Sequence, residues 1–298
     1  MINAIKMDLY RLYKTKSTYV IWCIMAFVLI LSSATLKMVD NTTTVHVNDT
    51  MVMEDSSDDL ISGIKDGMKE EPVVEEEPIN IGLSVGLPES QENYITVYDV
   101  IYGNVQGKII ALFIVIFAVL FATSDLNSGY IKNIGGQVEK RGCLIISKAV
   151  SIFVYTVATM VLSVLIQIVA NAVFLGYIKW GNLKDFFVYM STETFLHFAF
   201  ACICMTIAVL VRNNMVSMIL AVCMTMNVLT ILYGVLQKLI TKMGIKNLKI
   251  LDYTITGKIS MLSNHVTTKE SISAICLSIV FIIIMVVLGK SSFEKKDI

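Results

Sequence analysis

Glu193 and His197 stand four residues apart. On a helix that spacing puts a carboxylate and an imidazole on one face, where they could share a proton or hold a metal. Their place, at the start of an apolar run, also fits an interfacial pair near lipid headgroups. Cys202 and Cys204 are two apart and point to different helix faces, and no histidine or second cysteine pair completes a zinc set around them. A third chemistry needs a phosphate-binding loop, for which Gly103-Asn104-Val105-Gln106-Gly107-Lys108-Ile109 is the nearest match. Its glycines are four apart rather than five and no hydroxyl residue follows the lysine, so it is not a nucleotide site. ATP-driven work by this chain would therefore draw on another polypeptide.

Two rows of polar residues lie inside apolar runs. Ser151, Tyr155, Thr159, Ser163, Gln167 and Asn171 recur every four positions. Such a row winds slowly round a helix, so three or four members share a face. Cys223, Asn227, Thr230 and Gly234 form a shorter row, beside Met215, Met218, Met224 and Met226. Small and polar residues bind membrane helices together, and methionine adapts to irregular apolar surfaces. The other reading of the rows is the wall of a polar path, with Gln167, Asn171, Met224, Asn227 and Thr230 as the path residues.

The elements that carry these residues are apolar segments. About 20 mostly apolar residues cross the hydrocarbon core as a helix, and 55% of the 298 residues are hydrophobic, enough for several crossings. The expected fold is an all-α membrane protein with six transmembrane helices, an N-terminal interfacial elbow helix and a large acidic extracellular loop after the first span. The elbow is 1–17, where Ile2, Ile5, Leu9 and Leu12 share a face and Lys6, Arg11 and Lys14 lie elsewhere. The spans are 18–36, 109–124, 149–178, 194–211, 213–237 and 271–289. Between them lie the acidic loop 37–108, a cytoplasmic loop 125–148, an outer loop 179–193 and a basic outer loop 238–270. A tail, 290–298, follows. All three prolines fall outside the spans.

Lysine and arginine near span ends set orientation. Lys6, Arg11, Lys14 and Lys16 precede span 1, and Lys132, Lys140, Arg141 and Lys148 follow span 2. Both regions read as cytoplasmic, as do both termini, in a multi-pass protein of the plasma membrane. No small-residue cleavage pattern ends the first run. All six cysteines fall in spans or in the cytoplasmic loop, so no structural disulfide is expected. Residues 38–107 hold fifteen acids against two lysines, densest at Glu70–Glu77, whereas 238–270 holds six lysines against two acids. The acidic stretch is either a solvated spacer or a collector of cationic molecules. Asn41 and Asn48 match the glycosylation pattern.

Taken together, the opening Ile5-Lys6-Met7-Asp8-Leu9-Tyr10-Arg11-Leu12-Tyr13-Lys14-Thr15-Lys16, the six spans, the large loop after span 1 and the segment Ser124-Asp125-Leu126-Asn127-Ser128-Gly129-Tyr130-Ile131-Lys132-Asn133 resemble the ABC-2 type permeases, membrane subunits of bacterial ABC exporters. Asp125 stands where the family more often has Glu, Tyr130 replaces Thr, and a midway Pro is absent. The opening is most similar to Gram-positive permeases, including peptide-antibiotic immunity exporters. The resemblance implies a permease that moves an amphipathic or peptide-like substrate. It implies ATPase coupling through Asp125, Asn127, Ser128, Gly129, Lys132, Lys140, Arg141 and Lys148. It also implies two ATPase subunits, which bind the ATP and magnesium, and a second permease, the same chain or a sister. The chain itself would carry no cofactor and no catalytic residue, and its setting is the lipid bilayer, without nucleic acid. The alternative is a receptor that binds a peptide outside and signals through the cytoplasmic loop.

Overall fold

The computed structural model describes residues 2–50, 94–127, 142–226, 228–242 and 250–295. Among these the chain is all-helical. Four helices are long and apolar enough to cross a membrane: Lys16–Lys37, Cys143–Phe174, Leu183–Val211 and Thr268–Phe293. The protein is therefore a membrane protein. A fifth crossing is available if the bent pair Val97–Gln106 and Ile109–Ser124, which meet at 52°, counts as one span.

Helix α1, Ile2–Lys14, turns its Leu12 into the bundle and leaves Ile2, Tyr10 and Tyr13 exposed. The Thr15 amide closes it on the Arg11 carbonyl (2.9 Å), and the Thr18 hydroxyl donates to the Leu12 carbonyl (2.9 Å), so the chain bends at Thr15 into α2, Lys16–Thr50. At 1.5 Å per residue, α2 is about 50 Å long, well beyond the roughly 30 Å hydrocarbon core. Helices α3, Val97–Gln106, and α4, Ile109–Asn127, form the bent pair. They are followed by α5, Cys143–Phe174, and α6, Leu183–Val211. Next come α7, Asn214–Thr225, and α8, Val228–Lys242. After a short 3₁₀ turn, Ile250–Tyr253, the last two helices are α9, Ile255–Met261, and α10, Thr268–Lys295.

Helix α6 is the hub. It packs on α10, α4, α5, α7 and α9. Ala199, Ala201 and Ala208 on it are buried, and small residues let helix backbones approach where lipid offers no hydrophobic drive. Polar bonds pin α6 to α10 near both ends. The Thr192 and Ser271 hydroxyls lie 2.7 Å apart, and the Thr206 hydroxyl donates to the Met285 carbonyl (3.0 Å).

Several expected boundaries differ from the structure. The fourth span starts at Leu183 rather than 194 and absorbs most of the expected outer loop 179–193. Charges at Lys184, Asp185 and Glu193 interrupt the apolar run, but Asn182 caps the helix by accepting from the Lys184 amide (3.1 Å), and Glu193 turns inward. The expected fifth span is two helices, α7 and α8. Inside the expected acidic loop 37–108, α2 continues to Thr50, and α3 packs against the bundle with Val97, Val100, Ile101 and Val105 buried. A capping box starts α3: the Asp99 amide donates to the Thr96 hydroxyl (3.1 Å) and the Thr96 amide to the Asp99 carboxylate (2.9 Å). Gly181, at φ +73°, lies so close to Thr96 that a Cβ would sit 3.3 Å from its hydroxyl. The expected basic loop 238–270 contains the end of α8, the 3₁₀ turn and α9, and the ends of α4 and α5 enter the segment 125–148 expected to be a loop. The acidic run at 70–77 lies outside the described residues.

Candidate functional site

The end of the bundle far from α1 encloses a polar interior shared by α2, α3, α5 and α6. Ser32 donates to Asn104 Oδ1 (2.8 Å). Asn104 Nδ2 donates to Gln167 Oε1 (3.3 Å). Gln167 Nε2 in turn donates to Ser33 Oγ and to Asn171 Oδ1, each at 2.8 Å. All five side chains are buried. The chain of amides and hydroxyls ties α2, α3 and α5 together, and unmet polar groups would be costly in that interior.

The polar row on α5 explains how this interior forms. All six members, Ser151 to Asn171, are buried, more than a straight face was expected to hold. Val157, Val161, Leu165, Val169 and Val173, also four apart, are exposed. The helix thus turns polar residues inward and aliphatic residues toward lipid or a partner. Trp22 on α2 reads the row as well, donating from Nε1 to the Thr159 hydroxyl (3.0 Å) and stacking on Tyr155.

Beside this network lies a charged layer. Glu193 and His197 are both fully buried. His197 Nδ1 sits 3.3 Å from Glu193 Oε2 and 2.8 Å from the Glu193 backbone carbonyl. Facing them, at the break between α3 and α4, Lys108 is 1% exposed and within electrostatic reach of Glu193. Its backbone takes φ 59°, a strained conformation for a lysine, which turns the chain from one helix into the next. Tyr189, Tyr98 and Tyr102 close the layer as a ring cluster, with centroids 5.4–5.7 Å apart. Tyr98 donates to the Asn264 carbonyl, tying the layer to the segment before α10. Among the described residues, the Tyr189 hydroxyl, His197 Nε2 and the Glu193 carboxylate oxygens have no hydrogen-bond partner beyond the Glu193–His197 approach itself. Glu193 and His197, placed by the sequence at the head of an apolar run, face the bundle interior. They sit ten and more residues into α6. Ionisable groups so placed mark functional interiors by default.

Among the ATPase-coupling residues, Asp125 and Asn127 fall in the last turn of α4. Lys148 is inside the bundle, its ammonium donating to the Phe121 carbonyl (3.3 Å) and lying 4.8 Å over the Phe121 ring, so it does not project toward a docked partner. Ser128, Gly129, Lys132, Lys140 and Arg141 lie outside the described residues. Among the path residues, Gln167 and Asn171 join the buried network, Met224 is half-buried on α7 and Thr230 falls in α8, while Asn227 lies outside the described residues. Gln167 and Asn171 thus lie on α5, and Met224 and Thr230 on α7 and α8.

Sequence reasoning missed Asn104, Ser32, Ser33 and Lys108 as interior groups. A second span of 16 residues is short enough to borrow residues from the Tyr-rich segment upstream, which is where Asn104 and Lys108 lie.

No curated protein matches the chain significantly. Residues 81–298 match the model of a family described as protein of unknown function, DUF2705. That match spans most of the chain, which therefore belongs to the DUF2705 family.

Proposed function

We propose that this chain is the membrane-spanning permease subunit of an ATP-driven exporter of the ABC-2 type, moving an amphipathic or peptide-like substrate across the plasma membrane. The observation that carries the reading is the elbow. An amphipathic helix packs along α5 and bends at Thr15 directly into the first long apolar helix. Counting the bent pair α3–α4 as the second span and α7 with α8 as the fifth gives six crossings, with both termini cytoplasmic. The segment between α4 and α5 then faces the cytoplasm and docks on a separate ATPase, two copies of which bind ATP and magnesium and drive the two-state shift of the bundles.

The geometry also favours a division of labour. Gln167 commits its amide to Asn104 and Ser33 on neighbouring helices and to Asn171 on its own, so the pair holds the framework. Met224 and Thr230 belong to α7 and α8, whose Met215, Ile219, Leu232 and Leu239 are exposed and available to a second permease. The substrate path then runs between two permeases, beside α7 and α8.

Charge reversal of Lys132 and Lys140 tests the docking claim. Substrate-stimulated ATPase activity of the assembled complex should fall about tenfold or more, while membrane insertion is retained. Unchanged assembly and unchanged stimulated hydrolysis would remove the assignment.

A further inference from the structure

Glu193 and His197 set an acid and a base one helical turn apart inside the bundle, with both side chains 0% exposed. We infer that the two residues form a proton-binding site, which takes up one proton from water and releases it again within the membrane-spanning part of the molecule. The site is built from the bundle interior alone, apart from any ATPase.

Hydrogen-bond geometry fixes the atoms involved. A backbone carbonyl only accepts, so His197 Nδ1, 2.8 Å from the Glu193 carbonyl oxygen, carries a hydrogen. The same nitrogen lies 3.3 Å from Glu193 Oε2. A neutral imidazole carries one ring hydrogen, so Nε2 keeps its lone pair as the place for a second. Beyond the approach of the two residues to each other, Nε2 and both carboxylate oxygens have no hydrogen-bond partner among the described residues. A purely structural pair would have its remaining atoms bonded, as the network from Ser32 to Asn171 has. One added proton has two places to sit, His197 Nε2 or the Glu193 carboxylate. In either, the pair passes from one negative charge to none, and no other bond forms or breaks.

The other titratable groups within electrostatic reach of Glu193 are Lys108, at the break between α3 and α4, and the Tyr98 and Tyr189 hydroxyls. Lys108 has partners of its own, and the proton needs only the carboxylate and the imidazole. Helices α4, α5 and α7 pack on α6, and their stretches 109–124, 149–174 and 214–225 hold no charged residue. Helix α9 contributes Lys258, half-buried, and the head of α10 contributes Lys269 and Glu270, both exposed. A way in from water lies along the rings. Tyr189 is one turn from Glu193, its ring meets that of Tyr98 at 5.7 Å, and the Tyr98 hydroxyl donates to the carbonyl of Asn264 in the surface segment before α10.

The full chain in lipid nanodiscs is titrated from about pH 9 to about pH 4.5, a range that spans imidazole and carboxyl chemistry. Infrared difference spectra follow the carboxylic-acid band of Glu193, assigned by its loss in Glu193→Gln. Nitrogen NMR of histidine-labelled protein follows His197, one of three histidines in the chain. Its signals are assigned by their loss in His197→Gln, or by elimination with His46→Gln and His265→Gln if that variant does not fold. At alkaline pH His197 should carry its hydrogen on Nδ1 and none on Nε2. Acidification should add one proton, seen at Nε2 or as the Glu193 acid band. Because the two residues titrate as a unit, removing one should move the midpoint of the other by about one pH unit or more. A bare Nδ1, no titration at either residue, or a midpoint unmoved by loss of the partner overturns the site. Suppression of the proton uptake by micromolar zinc overturns the proton as its occupant and makes the pair a metal site.

Discussion

At the residue scale the decisive groups are Lys108 and Glu193, one at a helix break and one on the hub helix. Opposite charges buried together are tolerable, and removing one leaves the other uncompensated. Glu193→Leu or Lys108→Met alone should therefore destabilise the detergent-solubilised protein by about 3–5 kcal/mol, whereas the double variant should cost less than either. Additive losses in thermal or denaturant unfolding would show that the two charges act separately. Gln167 offers a second check. It bonds Asn104, Ser33 and Asn171, so Gln167→Leu should cost roughly 1–3 kcal/mol, while Val169→Leu on the exposed side of the same helix should stay within about 0.5 kcal/mol. Similar effects at both positions would mean that α5 does not turn its polar row inward.

At the element scale, most of the long helices were legible from charge-free runs, and their ends were not. Apolar length marks where a helix can cross, but a charge ends the run whether it faces water or a buried partner. Glu193 read as a boundary for that reason, although α6 starts ten residues earlier. Cap chemistry at Asn182 and Thr96 was the better signal, because it reports the helix end itself rather than the hydropathy around it. The candidate site was legible only in part. The row from Ser151 to Asn171 pointed to a polar face, but its partners on α2 and α3 are far away in sequence, and no periodicity links them. The short helix α9 was hidden in a region read as a basic loop. Gly257 is what lets it fold: a Cβ there would lie 2.3 Å from the Leu251 carbonyl oxygen and 2.7 Å from the Thr254 hydroxyl. Gly257→Ala should shift α9, break the bond from Gln106 to the Ser260 carbonyl (3.0 Å), and cost about 1–3 kcal/mol. Hydrogen exchange across 255–261 should accelerate; unchanged protection would show that α9 is held by other contacts.

At the scale of the whole molecule, the parts agree on a polar interior closed at one end by aromatic rings and bounded at the other by an elbow helix. Long exposed aliphatic stripes on α5, α8 and α10 face outward, as lipid or a second permease requires. The nearest approach to a phosphate loop in the sequence is α3 and its break, and there Lys108 is buried, within electrostatic reach of Glu193, rather than presented to a nucleotide. Under the proposed function, energy input comes from another chain. The most direct measurement is purification of the tagged protein from its native membranes, with subunit stoichiometry by quantitative mass spectrometry and ATP hydrolysis before and after the complex is dissociated. The account predicts a co-purifying ATPase in equal number to the permeases, hydrolysis in the complex and none in the isolated chain. A kinase in place of the ATPase, or turnover by the isolated chain, would contradict it.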